Sequence, residues 1–477
     1  MKGFLYNLLI PVLLLTILLL LNTCKDREKE SAVFMNSLER IQKRGKIIAV
    51  TDFNSTNYFI YRGQPMGYQY ELLKRFAKHL GVKLEVVVEN SVDKNFEMLL
   101  NKDCDIIAIN LTKTKERSQV IDFTIPHSQT RQVLVQRKPD HWNELTKDEL
   151  DSRLIRNQLD LANKVVYVQK GTSYAERLKN LSDEIGDHII IIEKADLEVE
   201  QLIELVASGE IDYTVADENI AMVNQTYYPI LDIETAISFP QSLAWGVRKE
   251  DDSLKIAINN WLKNFKQTLD YALIYNKYFK SPRSAKIVES EYYTIASGKV
   301  SAYDDAIKKY SEIVDWDWRL IASLIYQESR FKSDVKSWAG AYGLMQLMPT
   351  TARRFGVSKS SPPEKNIKAG IQFIKWLDER FENRGITDEE EKIKFILASY
   401  NVGLGHVLDA RRLAEKYGKD PDVWEENVDE FILKKSNPDY YHDPVVKYGY
   451  CRGSETYHYV YQILDRYEHY KNILPVE

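Results

Sequence analysis

From Gly45 to about Phe279, short apolar runs rich in β-branched residues alternate with segments of helical period, and from Ser301 onward the strand-like runs stop. This change of rhythm constrains the fold most, because a side-chain period of two and one of 3.6 bury their apolar faces in different architectures. "GKIIAVTDF" from Gly45 reads as a buried strand, "YELLKRFAKHLG" from Tyr70 as a helix closed by Gly81, and "KLEVVVE" as the next strand. "FEMLLNKDCDIIAIN" reads as a helix running into a strand at Ile106. A second unit follows with "KVVYVQK" from Lys164, "HIIIIEK" from His188, the helix "LIELVASGE" and the strand "IDYTVAD" from Ile211. The chain returns through "SLAWGVRK" from Ser242 and a helical stretch ending near Phe279. Alternating β and α segments imply largely parallel sheets covered by helices, and two such units joined by crossing strands imply two lobes with a cleft between them.

At 477 residues the chain is long enough for two or three domains. "SPRSAKIVESEYYTIASG" from Ser281 has no sustained apolar period and marks residues 281–300 as a connector. The expected organisation is therefore multidomain: a two-lobed α/β domain over 45–280, then a mainly α domain over 301–477. A net charge of -5 with no basic stretch argues against a nucleic-acid partner. The three cysteines, Cys24, Cys104 and Cys451, form no CxxC pair and no Cys/His cluster, so no metal site is expected, and no cofactor either. Cys104 and Cys451 read as free, largely buried thiols.

The first residues bear on the compartment. Lys2 precedes an apolar run from Leu8 to Leu21, shorter than the roughly 20 residues that cross a bilayer, so residues 1–23 read as a signal peptide and 24–44 as a linker. Leu21-Asn22-Thr23-Cys24 resembles a lipoprotein signal, which implies lipidation of Cys24, although Asn22 and Thr23 depart from the usual small residues. The alternative is an uncleaved N-terminal anchor. Either arrangement tethers the rest to a membrane outside the cytoplasm, and the expectation is the periplasmic face of the outer membrane.

"GYQYELLKRFAKHLG", "CDIIAINLTKTKERSQVIDFTIP" and "IDYTVADENIA" resemble the periplasmic solute-binding proteins of the polar-amino-acid type over residues 45–280. The resemblance implies a ligand such as an amino acid or a muropeptide. It implies that Arg117 pairs with a ligand carboxylate and Asp217 with a ligand amino group. A guanidinium fork suits a carboxylate. Thr172, in Gly171-Thr172-Ser173, opens a helix after a strand, where free N–H groups can hold an anion. The plainer alternatives are that Arg117 is one charge in a charged stretch and that Asp217 caps the helix at Glu218. Asn57-Tyr58-Phe59 is a candidate aromatic wall of the cleft.

In "WDWRLIASLIYQESRF", from Trp316 to Phe331, Ile321, Leu324, Ile325 and Glu328 fall at i, i+3, i+4 and i+7. Glu328 therefore lies on the apolar face of a helix, where desolvation raises a carboxyl pKa and suits a general acid. The bland alternative is an ion pair with Arg330 or Arg353. Downstream stand "SWAGAYGLMQLMPTTARRFG", "LASYNVGLGHV" and "SETYHYV", polar-tipped turns of the kind that line a sugar groove.

Glu328-Ser329-Arg330-Phe331, Gly343-Leu344-Met345-Gln346 with Pro349-Thr350-Thr351-Ala352, Tyr400-Asn401-Val402-Gly403, and Glu455-Thr456 with Tyr459-Val460 resemble the motifs of the soluble-lytic-transglycosylase domain. Tyr457 stands where that family usually has Arg. The resemblance covers 301–477 and implies a lysozyme-like fold, peptidoglycan glycan strands as substrate and Glu328 as catalytic acid and base. It implies contacts to substrate from Ser329, Met345, Gln346, Tyr400, Asn401 and Glu455, with Tyr400 bonded to Glu328 or to the sugar. Behind an anchor and a solute-binding-like domain, the whole resembles the membrane-bound members of the lytic transglycosylases. Two alternatives stay open: a tethered amino-acid- or peptide-binding protein whose second domain merely grips glycan, and a goose-type lysozyme that hydrolyses the same bond.

Overall fold

The computed structural model describes residues 36–280 and 298–474. Cys24, the signal segment and most of the connector lie outside the described residues. The chain divides into two units. One runs up to Asp52 and resumes from Tyr68 to Lys280, and the other joins Phe53–Gly67 to the chain beyond Ser281.

In the first unit, the strand Lys46–Thr51 pairs in parallel with Lys83–Val88 along its whole length and with Ile106–Ile107 on its other side. Gly246–Val247 adds antiparallel to Ile107 and to Asp122–Phe123, completing five strands. The helix Tyr68–Leu80 buries Leu72, Leu73, Phe76 and Ala77 at helical spacing and closes at Gly81, whose φ of +71° suits glycine. The second lobe repeats the plan. Its sheet runs Ile190–Lys194, Val165–Gln169, Tyr213–Asp217, Gln132–Arg137, Leu231–Asp232. The first two strands are parallel and Gln132–Arg137 is antiparallel to Tyr213–Asp217. Apolar side chains from both faces of the strands enter separate cores, which is why those strands read as nearly continuous apolar runs.

The second unit is helical. The buried helix Trp318–Ser329 packs against Asp304–Ser311 and the long helix Gly453–Ile473, while Pro363–Glu382, Glu389–Val402 and Leu404–Lys416 pack one on the next and, through Glu389–Val402, against the long helix. Their shared core includes Ile321, Leu324, Ile325, Phe395, Trp424, Val460 and Ile463. Ile60 belongs to the same core, because the hairpin Phe59–Tyr61/Gln64–Met66 is part of this unit. That corrects the aromatic wall: Tyr58 and Phe59 are buried, and the Tyr58 hydroxyl is hydrogen-bonded to His469 Nδ1 at 2.7 Å. Among the described residues no helix is long and apolar enough to cross a membrane. Cys104 and Cys451 are free and buried.

One buried ion pair ties the helix Leu404–Lys416 to the C-terminal segments. Lys435 and Asp409 are both fully buried, with Nζ to Oδ2 at 2.7 Å. Asp409 also accepts the backbone N–H groups of Lys447 and Tyr448. Removing one partner strands the other charge out of water. Asp409→Ala is therefore expected to lower unfolding free energy by about 3–5 kcal/mol in urea titrations.

Candidate active site

The helix that carries Glu328 starts at an Asp317 cap, whose side chain accepts the Arg319 N–H at 2.9 Å. Trp318 to Ile325 are buried, and the helix stops after Ser329 because Arg330 and Phe331 take left-handed φ values of 52° and 59°. Two successive non-glycine residues in that region are strained and persist only where packing over-determines them. Glu328 thus sits in the last turn, at the negative end of the helix dipole.

Burial raises the Glu328 carboxyl to about 7, and the Tyr459 hydroxyl, which donates to Glu328 Oε1, opposes that rise. At neutral pH the carboxyl is divided between its acid and its base form. Arg353 does not pair with it; its Nε donates to the Pro349 carbonyl at 3.3 Å. Tyr459 lies on the helix Gly453–Ile473, 131 positions away in sequence. A polar cavity of about 350 Å³ opens over these groups, lined by Gln327, Glu328, Asn401, Glu455, His458, Tyr459 and Gln462.

Some of the residues singled out from the sequence meet here and others do not. Asn401 and Glu455 line the cavity, and Asn401 Oδ1 accepts the Thr456 hydroxyl at 2.8 Å. Tyr400 is close enough for Glu328 to raise its pKa, yet its hydroxyl donates to the Met345 carbonyl at 2.7 Å rather than to the carboxyl. Met345 is fully buried under Gly370, so the structure assigns it to the core and not to the groove. Gln346 spends both amide hydrogens on backbone, donating to Val335 O at 3.0 Å and Gly343 O at 2.7 Å, and so stabilises its own turn. Ser329 is buried and donates back to Ile325 O at 3.2 Å, a packing role rather than a sugar contact. Gln327, His458 and Gln462 carried no role in the sequence. Tyr459 stood there as a member of the motif that begins at Glu455 but without a role of its own, although it lies one helical turn after Glu455 on the same face.

The turn from Gly343 to Gln346 is held from below. Asn366 Oδ1 accepts the Met345 N–H at 2.8 Å, and a Cβ on Gly343, which has φ of +82°, would lie 2.5 Å from Asn366 Nδ2. Only glycine meets both demands.

In the first unit Arg117, on the short helix Lys115–Val120, donates to Thr112 O and Gly171 O, each at 3.0 Å. Its guanidinium therefore reaches from one lobe to the other, and burial lowers its pKa. Asp217 ends the strand Tyr213–Asp217 and makes no side-chain cap, so the capping alternative fails. It is 2% exposed, its Oδ1 has no hydrogen-bond partner, and burial with nearby Asp52 raises its pKa to about 7 against the pull of Arg117. Thr172 precedes the helix Ser173–Ile185, but its hydroxyl donates to Gln169 O at 2.7 Å and not to a helix N–H.

Residues 46–281 match the bacterial extracellular solute-binding proteins of family 3, and residues 305–423 match the transglycosylase SLT domain. Solved structures similar to the first half include holo ArgBP from T. maritima (26% identical, 50% of this chain and 97% of that one, TM-score 0.41) and an ancestral arginine-binding protein bound to arginine (25%, 50% and 99%, TM-score 0.42). The two family matches define the class, a two-lobed solute-binding domain followed by a mainly helical transglycosylase domain. The membrane-bound lytic murein transglycosylase F of Desulfosudis oleivorans is 37% identical over 91% of this chain and 92% of its own. That of Aliivibrio fischeri is 33% identical over 95% and 88%. The chain belongs to the membrane-bound lytic murein transglycosylase F family.

Tyr459→Phe removes the bond that favours the Glu328 carboxylate, so it is expected to move the alkaline limb of the pH–rate profile upward. It is also expected to lower kcat roughly tenfold through lost orientation. A pH series on soluble glycan strands checks both.

Proposed function

We propose that the protein cleaves the β-1,4 bond between N-acetylmuramic acid and N-acetylglucosamine in peptidoglycan and leaves 1,6-anhydromuramoyl ends. The observation that carries this is the Glu328 carboxyl, held at about 7 at the mouth of a polar cavity and oriented by Tyr459. In its acid form Glu328 protonates the glycosidic oxygen as the C1–O4 bond breaks. The resulting carboxylate takes the proton of the muramoyl 6-hydroxyl as that oxygen closes on C1. The two proton transfers cancel, no water is consumed, and the enzyme returns to its starting state. A pKa near the working pH is what one group needs to serve in both directions. Asn401 and Glu455, which line the same cavity, are placed to hold sugar or peptide-stem groups.

Glu455 also favours a second reading. A second carboxyl group in the cavity is what a hydrolase uses to activate water. Mass spectrometry of digested peptidoglycan separates the two, since anhydro ends are lighter than reducing ends by one water. The expected outcome is anhydro products with the native chain and loss of cleavage by at least about a thousandfold with Glu328→Gln. Cleavage surviving in Glu328→Gln would displace Glu328 from its role.

The two-lobed unit takes an amino acid or muropeptide in its cleft, with Arg117 for a carboxylate, Asp217 for an ammonium group and Thr172 at the start of the helix Ser173–Ile185, and occupancy modulates cleavage. Asp217 with an unpartnered oxygen supports this. Isothermal titration with amino acids and muropeptides is expected to give heat that Asp217→Asn abolishes; no heat from any of them sinks the idea. The chain is tethered through lipidated Cys24 to the periplasmic face of the outer membrane, supported by the Leu21–Cys24 pattern.

A further inference from the structure

The hairpin Phe59–Tyr61/Gln64–Met66 turns through Arg62 and Gly63, both at positive φ as a two-residue turn demands. It is encoded within the stretch that otherwise builds the first unit, yet it packs into the second. Its strands lie against the helix that supplies the orienting hydroxyl, and its turn meets the end of the helix that carries the carboxyl. The Gly63 carbonyl accepts the Tyr470 hydroxyl at 2.8 Å, and the Tyr58 hydroxyl meets His469 at 2.7 Å. Both partners lie on the helix Gly453–Ile473, about three turns beyond Tyr459. A Cβ on Gly63 would lie 2.6 Å from the Tyr326 ring, 2.7 Å from the Tyr470 hydroxyl and 2.9 Å from the Phe331 ring.

Tyr326 and Phe331 bracket Glu328 in sequence and meet edge to face at 5.8 Å. Phe331 is the second of the two left-handed residues that end the helix. Arg466 closes the assembly: its guanidinium lies 4.4 Å from the Tyr326 ring centre and donates to Gln327 Oε1 at 3.1 Å. A strained turn keeps its shape only while its surroundings hold it. Here those surroundings are two aromatic rings seated against a glycine of the hairpin.

We propose that this hairpin is a positioning element of the catalytic site, with Gly63 setting the seat of Tyr326 and Phe331 and thereby the orientation of the Glu328 carboxyl. The proposal rests on the assignment of Glu328 as the acid. Side chains at position 63 would push the two rings outward and loosen the turn. The carboxyl would then be better solvated, and its pKa would fall toward the usual range.

The test uses the full chain and soluble glycan strands. Gly63→Ala is expected to lower kcat roughly ten- to hundredfold, leave KM within about twofold, and move the alkaline limb of the pH profile downward. Gly418→Ala is the control for backbone strain alone, since Gly418 has φ of +76° and a Cβ there meets nothing within 4 Å; its kcat and profile should match the native chain. Tyr470→Phe keeps the ring and removes only the bond to Gly63, with an expected loss of roughly threefold in kcat. Folded Gly63→Ala with native kcat and native pH profile overturns the proposal. If Gly63→Ala does not fold, native kcat and profile in Tyr470→Phe and Tyr58→Phe overturn it. Glu328→Gln run alongside keeps the two claims apart: activity there sinks the acid assignment, whereas an inactive Glu328→Gln beside an unimpaired Gly63→Ala sinks only the hairpin.

Discussion

The helices Trp318–Ser329 and Gly453–Ile473 lie against each other, and the chemistry depends on that contact. Ser323 donates to the Ile463 carbonyl at 2.7 Å, and Arg466 donates to the Ser323 carbonyl at 3.2 Å, so polar links within the apolar interface fix how the two helices sit. With that arrangement set, Tyr459 faces Glu328, and the half-buried carboxyl keeps a hydrogen-bond partner. A carboxyl with no partner would be expensive to bury, and one in bulk water would stay ionised. The pairing with a hydroxyl lies between these extremes and keeps both protonation states within reach.

The same balance recurs in the first unit with opposite emphasis. Arg117 is satisfied by two backbone carbonyls, whereas Asp217 keeps an oxygen with no partner. Glu328 is oriented by its protein neighbours before any substrate arrives. Asp217 is under-satisfied within the protein itself. The two acidic groups share a raised pKa but differ in what surrounds them, a hydroxyl donor at Glu328 and an unpartnered oxygen at Asp217.

Much of the fold could be read along the chain. The strands Lys46–Thr51, Lys83–Val88 and Val165–Gln169 stand where the apolar runs place them, and the helix Trp318–Ser329 follows from four apolar-face positions at helical spacing. Local pattern suffices there because burial of one face is a local demand. The site was legible only in part. Ser329, Met345 and Gln346 belong to motifs beside the acid, but neighbours in sequence point to different faces, and these three support the turns rather than line the cavity. Tyr58 and Phe59 show the same limit at longer range, since nothing in an aromatic pair tells which unit will bury it.

By itself, the sequence determined much of the order of strands and helices, the switch from an α/β to a mainly helical unit, and the presence of one glutamate on an apolar helix face. All of these follow from periodicity and turn chemistry within some twenty residues. Only the tertiary structure decided that Tyr459, rather than Tyr400, bonds the carboxyl, and that a hairpin from early in the chain underlies the turn after it. Those contacts span more than a hundred residues, and their geometry comes from how whole helices pack, which no local pattern records.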